Sequence, residues 1–123
     1  GYTVKGIKEN TARIIFAKGN FHGRTLTVCA GSDDHSRTNH FGPYGDNGFD
    51  IIPYDDIEAM RSLIENNAES YAAVLIEPIQ GEFGVRIPSE DYITKVAELC
   101  KKHNVLFIDD EVQTGFGRTG TLL

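Results

Sequence analysis

Three consecutive acids, Asp109, Asp110 and Glu111, close the apolar run Val105–Ile108 and lead into a polar, Gly-rich stretch, 112–119. An unbroken apolar run of this length reads as a strand buried on both faces of a parallel sheet. Ligands of open α/β sheets bind outside the carboxyl ends of such strands. A carboxylate held there, half in the core, is costly unless a cation neutralises it. The implied chemistry is recognition of a cationic group by one of these acids. A second apolar run, Tyr71–Ile76, also ends in an acid, Glu77, followed by Pro78.

The neighbouring groups narrow the cation. Three segments supply them: Phe21-His22-Gly23-Arg24, Glu77 to Glu82, and Asp110 to Gln113. If the backbone stays extended through Val112, Asp110 and Val112 project to the same side. An acid beside a β-branched apolar group suits a flat, aromatic cation such as a protonated pyridine. Asp110 would meet the ring N–H, Val112 would pack on one face and Phe21 would stack on the other. Gln113 can donate to a ring oxygen. His22 reads as structural or as a polar contact near the ring, and Asp109 and Glu111 as acids that point away and pair structurally. Glu77, just before Pro78, equally suits a turn backbone. No Gly-rich phosphate motif opens a helix, which excludes a dinucleotide or P-loop site. Acids without nearby His pairs argue against a transition metal, leaving an acidic Mg²⁺ site as the competing reading.

These groups need elements to position them. Arg13–Ala17 and Phe49–Pro53 read as short extended runs, and Arg24–Ala30 as a short helix ending at Gly31. Residues 31–49 lack periodicity and read as a long surface loop. Asp55 or Asp56 can cap a helix over 57–66, with Ile57, Met60, Leu63 and Ile64 on one face. Ser89 can start a second helix running to about His103, striped by Tyr92, Ile93, Val96, Leu99 and Cys100, with Asn104 in a left-handed cap. Strand, helix, strand over 71–108 makes a βαβ unit with parallel strands. Glu77 and Asp110 then share one edge of the sheet, joined by the turn after Ala17 if that strand is parallel too.

The composition is that of an ordinary globular chain: 123 residues, 40% hydrophobic, 24% charged, with a net charge of −6. That charge argues against a nucleic-acid surface, and no apolar run approaches a membrane span. Cys29 and Cys100 lack metal or redox spacing and read as free thiols in a reducing compartment, cytoplasm or mitochondrial matrix. The absence of an initiator Met and the stop just after a loop make the chain look cut at both ends.

Four stretches, NFHGRTL (20–26), IIPYDDIEAM (51–60), LIEPIQGEFGV (75–85) and LCKKHNVLFIDDEVQTGFGRTG (99–120), resemble the class III, fold-type I aminotransferases. The resemblance covers essentially the whole chain. It implies an α/β fold, part of the large cofactor-binding domain, with a mainly parallel sheet flanked by helices. It also implies pyridoxal 5'-phosphate as cofactor and a homodimer or higher homo-oligomer. Asp110 would pair with the pyridinium nitrogen, Phe21 and Val112 would sandwich the ring, and Gln113 would bond its phenolic oxygen. Arg24 would grip a substrate carboxylate, Glu82 would act as a substrate switch that masks a second arginine, and Glu77 would support it. Segments 1–7 and 41–44 are most similar to members that pass the δ-amino group of L-ornithine to 2-oxoglutarate. N-acetylornithine or 4-aminobutyrate as donor, or a non-catalytic ligand-binding module on the same scaffold, are the alternatives. The family's cofactor-linking lysine has no counterpart in the chain, so the chain by itself should not catalyse transfer.

Overall fold

The computed structural model describes residues 1–46 and 48–122. Asn47, within the loop expected over 31–49, and the terminal Leu123 lie outside the described residues. Eight elements follow one another: β1 (Arg13–Ala17), α1 (Leu26–Ala30), α2 (His35–Thr38), β2 (Phe49–Ile52), α3 (Ile57–Asn67), β3 (Tyr71–Ile76), α4 (Tyr92–Lys102) and β4 (Leu106–Asp109). The strands form one parallel sheet in the order β2-β1-β3-β4. Ile76 pairs with Asp109 across β3 and β4, and the Asp110 N–H donates to Ile76 O at 2.8 Å. The expected α/β architecture is therefore present, with Glu77, Asp110 and the turn after Ala17 at one carboxyl edge.

Helices α3 and α4 cover one face. Met60 and Ile64 from α3 meet Tyr92, Val96, Leu99 and Cys100 from α4 over Ile15, Ala17, Val74 and Ile76 of the central strands. Each of the Val, Leu, Ile and Met side chains among them contributes about 1.5–3 kcal/mol by leaving water, so this layer anchors the sheet. Cys29 and Cys100 are free thiols, and burial pushes Cys100 up to about 12. No helix among the described residues is long and apolar enough to cross a membrane.

The expectation that β4 is buried on both faces does not hold. Leu106 is 65% exposed and Ile108 42% exposed, while Val105 joins the core. β4 is an outer strand, and α4 packs only on the face that carries Val105 and Phe107. The start of α4 also differs. Ser89 does not cap it; its N–H and hydroxyl both go to Asp55 Oδ1, at 3.0 and 2.6 Å, and the helix begins at Tyr92. Asp56, the other candidate cap, accepts from Ala59 N–H at 2.9 Å and starts α3. Asn104 takes a left-handed conformation, φ 53, after α4 as expected. Within the loop, Asp34 accepts from Ser36 N–H and Oγ and nucleates the short α2.

At the opposite, amino edge of the sheet, the Arg13 fork holds Asp50 through Nε at 2.6 Å and Nη2 at 2.9 Å, and the Tyr71 hydroxyl donates to Asp50 at 2.9 Å. One carboxylate thus ties β1, β2 and β3. The Arg13 hydrogen bond holds Asp50 below its ordinary value despite partial burial, with Tyr71 adding to it. A depressed folded pKa means that this contribution is present above the unfolded value of about 3.9 and is lost as pH falls through the folded one. Asp50→Asn should therefore cost about 1–3 kcal/mol near neutrality. Denaturant unfolding from pH 6 to 3 should show the variant's deficit shrinking with acid. A deficit that stayed constant over that range would remove Asp50 from the acid sensitivity.

Candidate functional site

The carboxyl edge is assembled by a chain of backbone anchors. The buried Asn20 donates to Ala17 O at 2.8 Å and Gly31 O at 3.0 Å, fixing the turn that follows β1. Gln80 Nε2 donates to Lys18 O at 2.8 Å, drawing the segment after β3 onto the same turn. Glu77, 5% exposed, accepts the Phe21 N–H at 3.1 Å. Burial pushes the Glu77 carboxyl up, opposed first by its bond from Phe21. Glu77 is thus both a scaffold for Phe21 and part of the cavity described next.

Phe21, His22, Glu77, Asp110, Val112 and Gln113 line a cavity of about 180 Å³. Five of these six are residues singled out from the sequence. The backbone does not stay extended through Val112, however. It turns there, because Asp110 Oδ1 accepts the Val112 N–H at 3.2 Å and Gly115 N–H bonds to Glu111 O at 2.9 Å. Asp110 and Val112 reach one cavity through this turn rather than through strand alternation. Val112 is 91% exposed.

The sixth residue, His22, has a stronger link to the site than the sequence indicates. Its imidazole is 1% exposed and lies 2.7 Å, through Nδ1, from Asp110 Oδ2. With the carboxylate accepting, Nδ1 carries the hydrogen. Phe16, at 5.0 Å between ring centroids, packs against the imidazole. Asp110 therefore receives one donor on each oxygen, which fixes the carboxylate while leaving further lone pairs for a cation. Asp109, by contrast, has no cation paired with it among the described residues. It is exposed by surface area, yet its carboxyl is partly desolvated, which with Glu111 and Asp110 pushes it up to about 6. The expected structural pairing holds only for Glu111, which accepts from Thr114 Oγ1 at 3.1 Å.

Arg24 and Glu82 lie outside this cavity. Arg24 is exposed, its guanidinium 5.5 Å from the Phe21 ring centroid. Glu82 accepts from Gln113 Nε2 at 3.4 Å and pairs with Arg37 at 3.6 Å. Arg37, which the sequence reading passed over, also lies 4.5 Å from the Phe21 centroid. Its signal was absent because it belongs to a four-residue helix inside an aperiodic stretch. Among the described residues, no group of three His, Cys, Asp or Glu side chains is arranged to hold a metal ion.

The cavity thus gathers a carboxylate held by two donors, two apolar side chains and an amide. Comparison with known proteins gives the chain a family. The family described as aminotransferase class-III matches residues 1–123. The ornithine aminotransferase of Plasmodium falciparum is 51% identical over 123 residues, all of this chain and 29% of that protein. The crystal structure of the ornithine aminotransferase from Toxoplasma gondii superposes with a TM-score of 0.94 at 43% identity, covering 99% of this chain and 28% of that one. An acetylornithine aminotransferase from Elizabethkingia anophelis superposes at 0.76, also with 43% identity, over 99% of this chain and 25% of its own. The chain thus spans less than a third of the length of the relatives it matches.

Proposed function

This chain belongs to the class III aminotransferases, and from that premise we propose that the full-length protein carrying it passes the δ-amino group of L-ornithine to 2-oxoglutarate with pyridoxal 5'-phosphate, giving L-glutamate 5-semialdehyde and L-glutamate. The observation that carries the reading is Asp110, a carboxylate fixed by His22 and Val112 N–H in a cavity bordered by Phe21. The donor set fits the cofactor's pyridine ring. The cofactor, when bound, supplies an electron-withdrawing ring that stabilises negative charge on the substrate carbon.

In this reading Asp110 accepts the ring N–H and favours its protonated form, as an opposite charge a few ångströms away does. His22 holds Asp110 in place. Phe21 and Val112 cover the two ring faces and exclude water, and Gln113 donates to the ring's oxygen. Arg24 recognises a substrate carboxylate, and Glu82 with Glu77 completes substrate recognition. Active dimers or larger homo-oligomers are part of the same proposal. The choice of ornithine is supported by the relatives at about half identity. The acetylornithine enzyme that superposes at lower TM-score keeps N-acetylornithine as the rival donor.

Steady-state kinetics of the full-length protein with 2-oxoglutarate as acceptor tests the choice. The expected result is a kcat/KM for L-ornithine at least about tenfold above those for N-acetylornithine and 4-aminobutyrate, the margin that one well-made polar contact supplies. A reversed order between ornithine and N-acetylornithine would replace the donor while leaving the family unchanged.

A further inference from the structure

We propose that Tyr54 is a positioning residue: through the backbone of Glu77 it sets where Phe21 stands in the Asp110 cavity, and so how firmly the cofactor's ring is held. The placement of Phe21 stands on geometry alone, and its effect on the ring rests on the aminotransferase reading above. Tyr54 lies in the turn between β2 and α3, outside the lining of the Asp110 cavity. Its ring is buried in the core with α3 and α4, the Tyr92 ring edge-on at 5.6 Å. Its hydroxyl reaches the exit of β3, two strands away in the sheet.

The hydroxyl donates to two successive carbonyl oxygens, Glu77 O at 3.0 Å and Pro78 O at 2.9 Å. A pleated strand alternates direction at each residue, so neighbouring carbonyls meet one donor only where the chain bends. Pro78 has no N–H with which to close such a bend, and Tyr54 supplies the donor. Burial pushes the hydroxyl up, which keeps its hydrogen in place. Phenylalanine would fill the same space but leave both carbonyls without this partner.

The bend held by Tyr54 joins the turn after β1 at two points. Glu77 Oε2 accepts the Phe21 N–H at 3.1 Å, and Gln80 Nε2 donates to Lys18 O at 2.8 Å. The Lys18 N–H in turn goes to Ile52 O at 2.7 Å, at the end of the strand that leads into Tyr54. Hydrogen bonds and backbone thus close a ring through Tyr54, Glu77, Phe21, Lys18 and Ile52. Arg86 braces it from outside, 5.6 Å from the Tyr54 ring centroid, with Nη1 donating to Gln80 Oε1 at 3.3 Å. Releasing the Tyr54 end frees Glu77 to shift, and the Phe21 N–H bond is the first to feel it. The Tyr71 hydroxyl, bonded to Asp50 at 2.9 Å, supplies a matched hydrogen bond at the opposite edge of the sheet.

Two measurements on the full-length protein test this: hydrogen exchange over residues 18–24 without cofactor, and absorbance titration with pyridoxal 5'-phosphate. Tyr54→Phe should speed exchange over that segment about fivefold or more and weaken cofactor binding roughly five- to tenfold. Gln80→Met, which leaves Lys18 O without its donor, should move both readouts in the same direction. Tyr71→Phe should lower the melting temperature about as much as Tyr54→Phe does, yet leave both readouts at parental values. Parental exchange over 18–24 in Tyr54→Phe would overturn the placement of Phe21. Faster exchange with parental cofactor affinity would reduce Tyr54 to a structural hydroxyl, as would equal changes in Tyr71→Phe. Faster exchange confined to Tyr54→Phe, in a protein whose parent binds no pyridoxal 5'-phosphate, would uphold the placement of Phe21 and sink the aminotransferase reading instead.

Discussion

Asp110→Ala in the full-length protein is expected to lower amino-transfer turnover by on the order of a hundredfold or more and to loosen the cofactor. An opposite charge within a few ångströms shifts a pKa by roughly one to three units, so removing it costs about ten- to a thousandfold in the protonated ring. The loss should be larger than for a typical surface acid because Asp110 is only 14% exposed and each oxygen is already oriented, one by His22 at 2.7 Å and one by Val112 N–H at 3.2 Å. Asp110→Asn separates charge from shape. The amide oxygen can still accept from His22 while the amide nitrogen gives up the longer bond from Val112 N–H, so most of the shape is kept, yet turnover should fall nearly as far as in the Ala variant. His22→Phe keeps a ring against Phe16 but removes the hydrogen bond, and should cost only roughly five- to tenfold. Turnover measured with saturating substrates, and cofactor affinity from absorbance titration, check all three. Asp110→Asn with near-parental turnover would mean that charge at this position is not what the reaction uses.

Much of this site was legible because strand ends are legible. Tyr71–Ile76 is an apolar run closed by an acid, and parallel pairing with β4 follows from the helix between them. Glu77 and Asp110 had to fall on one edge. The identity of the acid that matters was sharpened by family resemblance, since Asp109, Asp110 and Glu111 are alike as residue types. What the sequence withheld depends on contacts between distant positions. His22 and Asp110 are 88 residues apart, and no periodicity links them. Ser89 has every feature of a helix cap, yet Asp55, 34 residues away, takes both its hydrogen bonds. β4 misled for another reason: an apolar run reports that its faces suit burial, not what packs on each. Arg37 stayed hidden because α2 is nucleated by one side chain, Asp34, rather than by a repeating pattern.

The second large effect is steric and begins far from any charge. A Cβ at Gly31 would sit 2.2 and 2.3 Å from two carbons of the Phe16 ring, and 3.3 Å from Phe49. Gly31 has φ −93, which any residue adopts, so the penalty of Gly31→Ala is one of space and not of backbone conformation. Phe16 has little room to yield. It is 1% exposed, stacked on Phe49 at 4.6 Å and packed against His22 at 5.0 Å. Overpacking of a rigid interior costs about 1–3 kcal/mol and sometimes more, so Gly31→Ala should lower unfolding stability by at least that. The displaced ring also presses on the imidazole that holds Asp110, and cofactor affinity should fall with stability. Shortening the ring relieves both strains: Phe16→Leu in the Gly31→Ala background should recover stability that Phe16→Leu alone loses. The sign of the coupling in this double-mutant cycle is the decisive measurement. Additive losses would show that Gly31 and Phe16 do not share the space assigned to them, whereas a favourable coupling of about 1 kcal/mol or more would place the clash in the ring of Phe16.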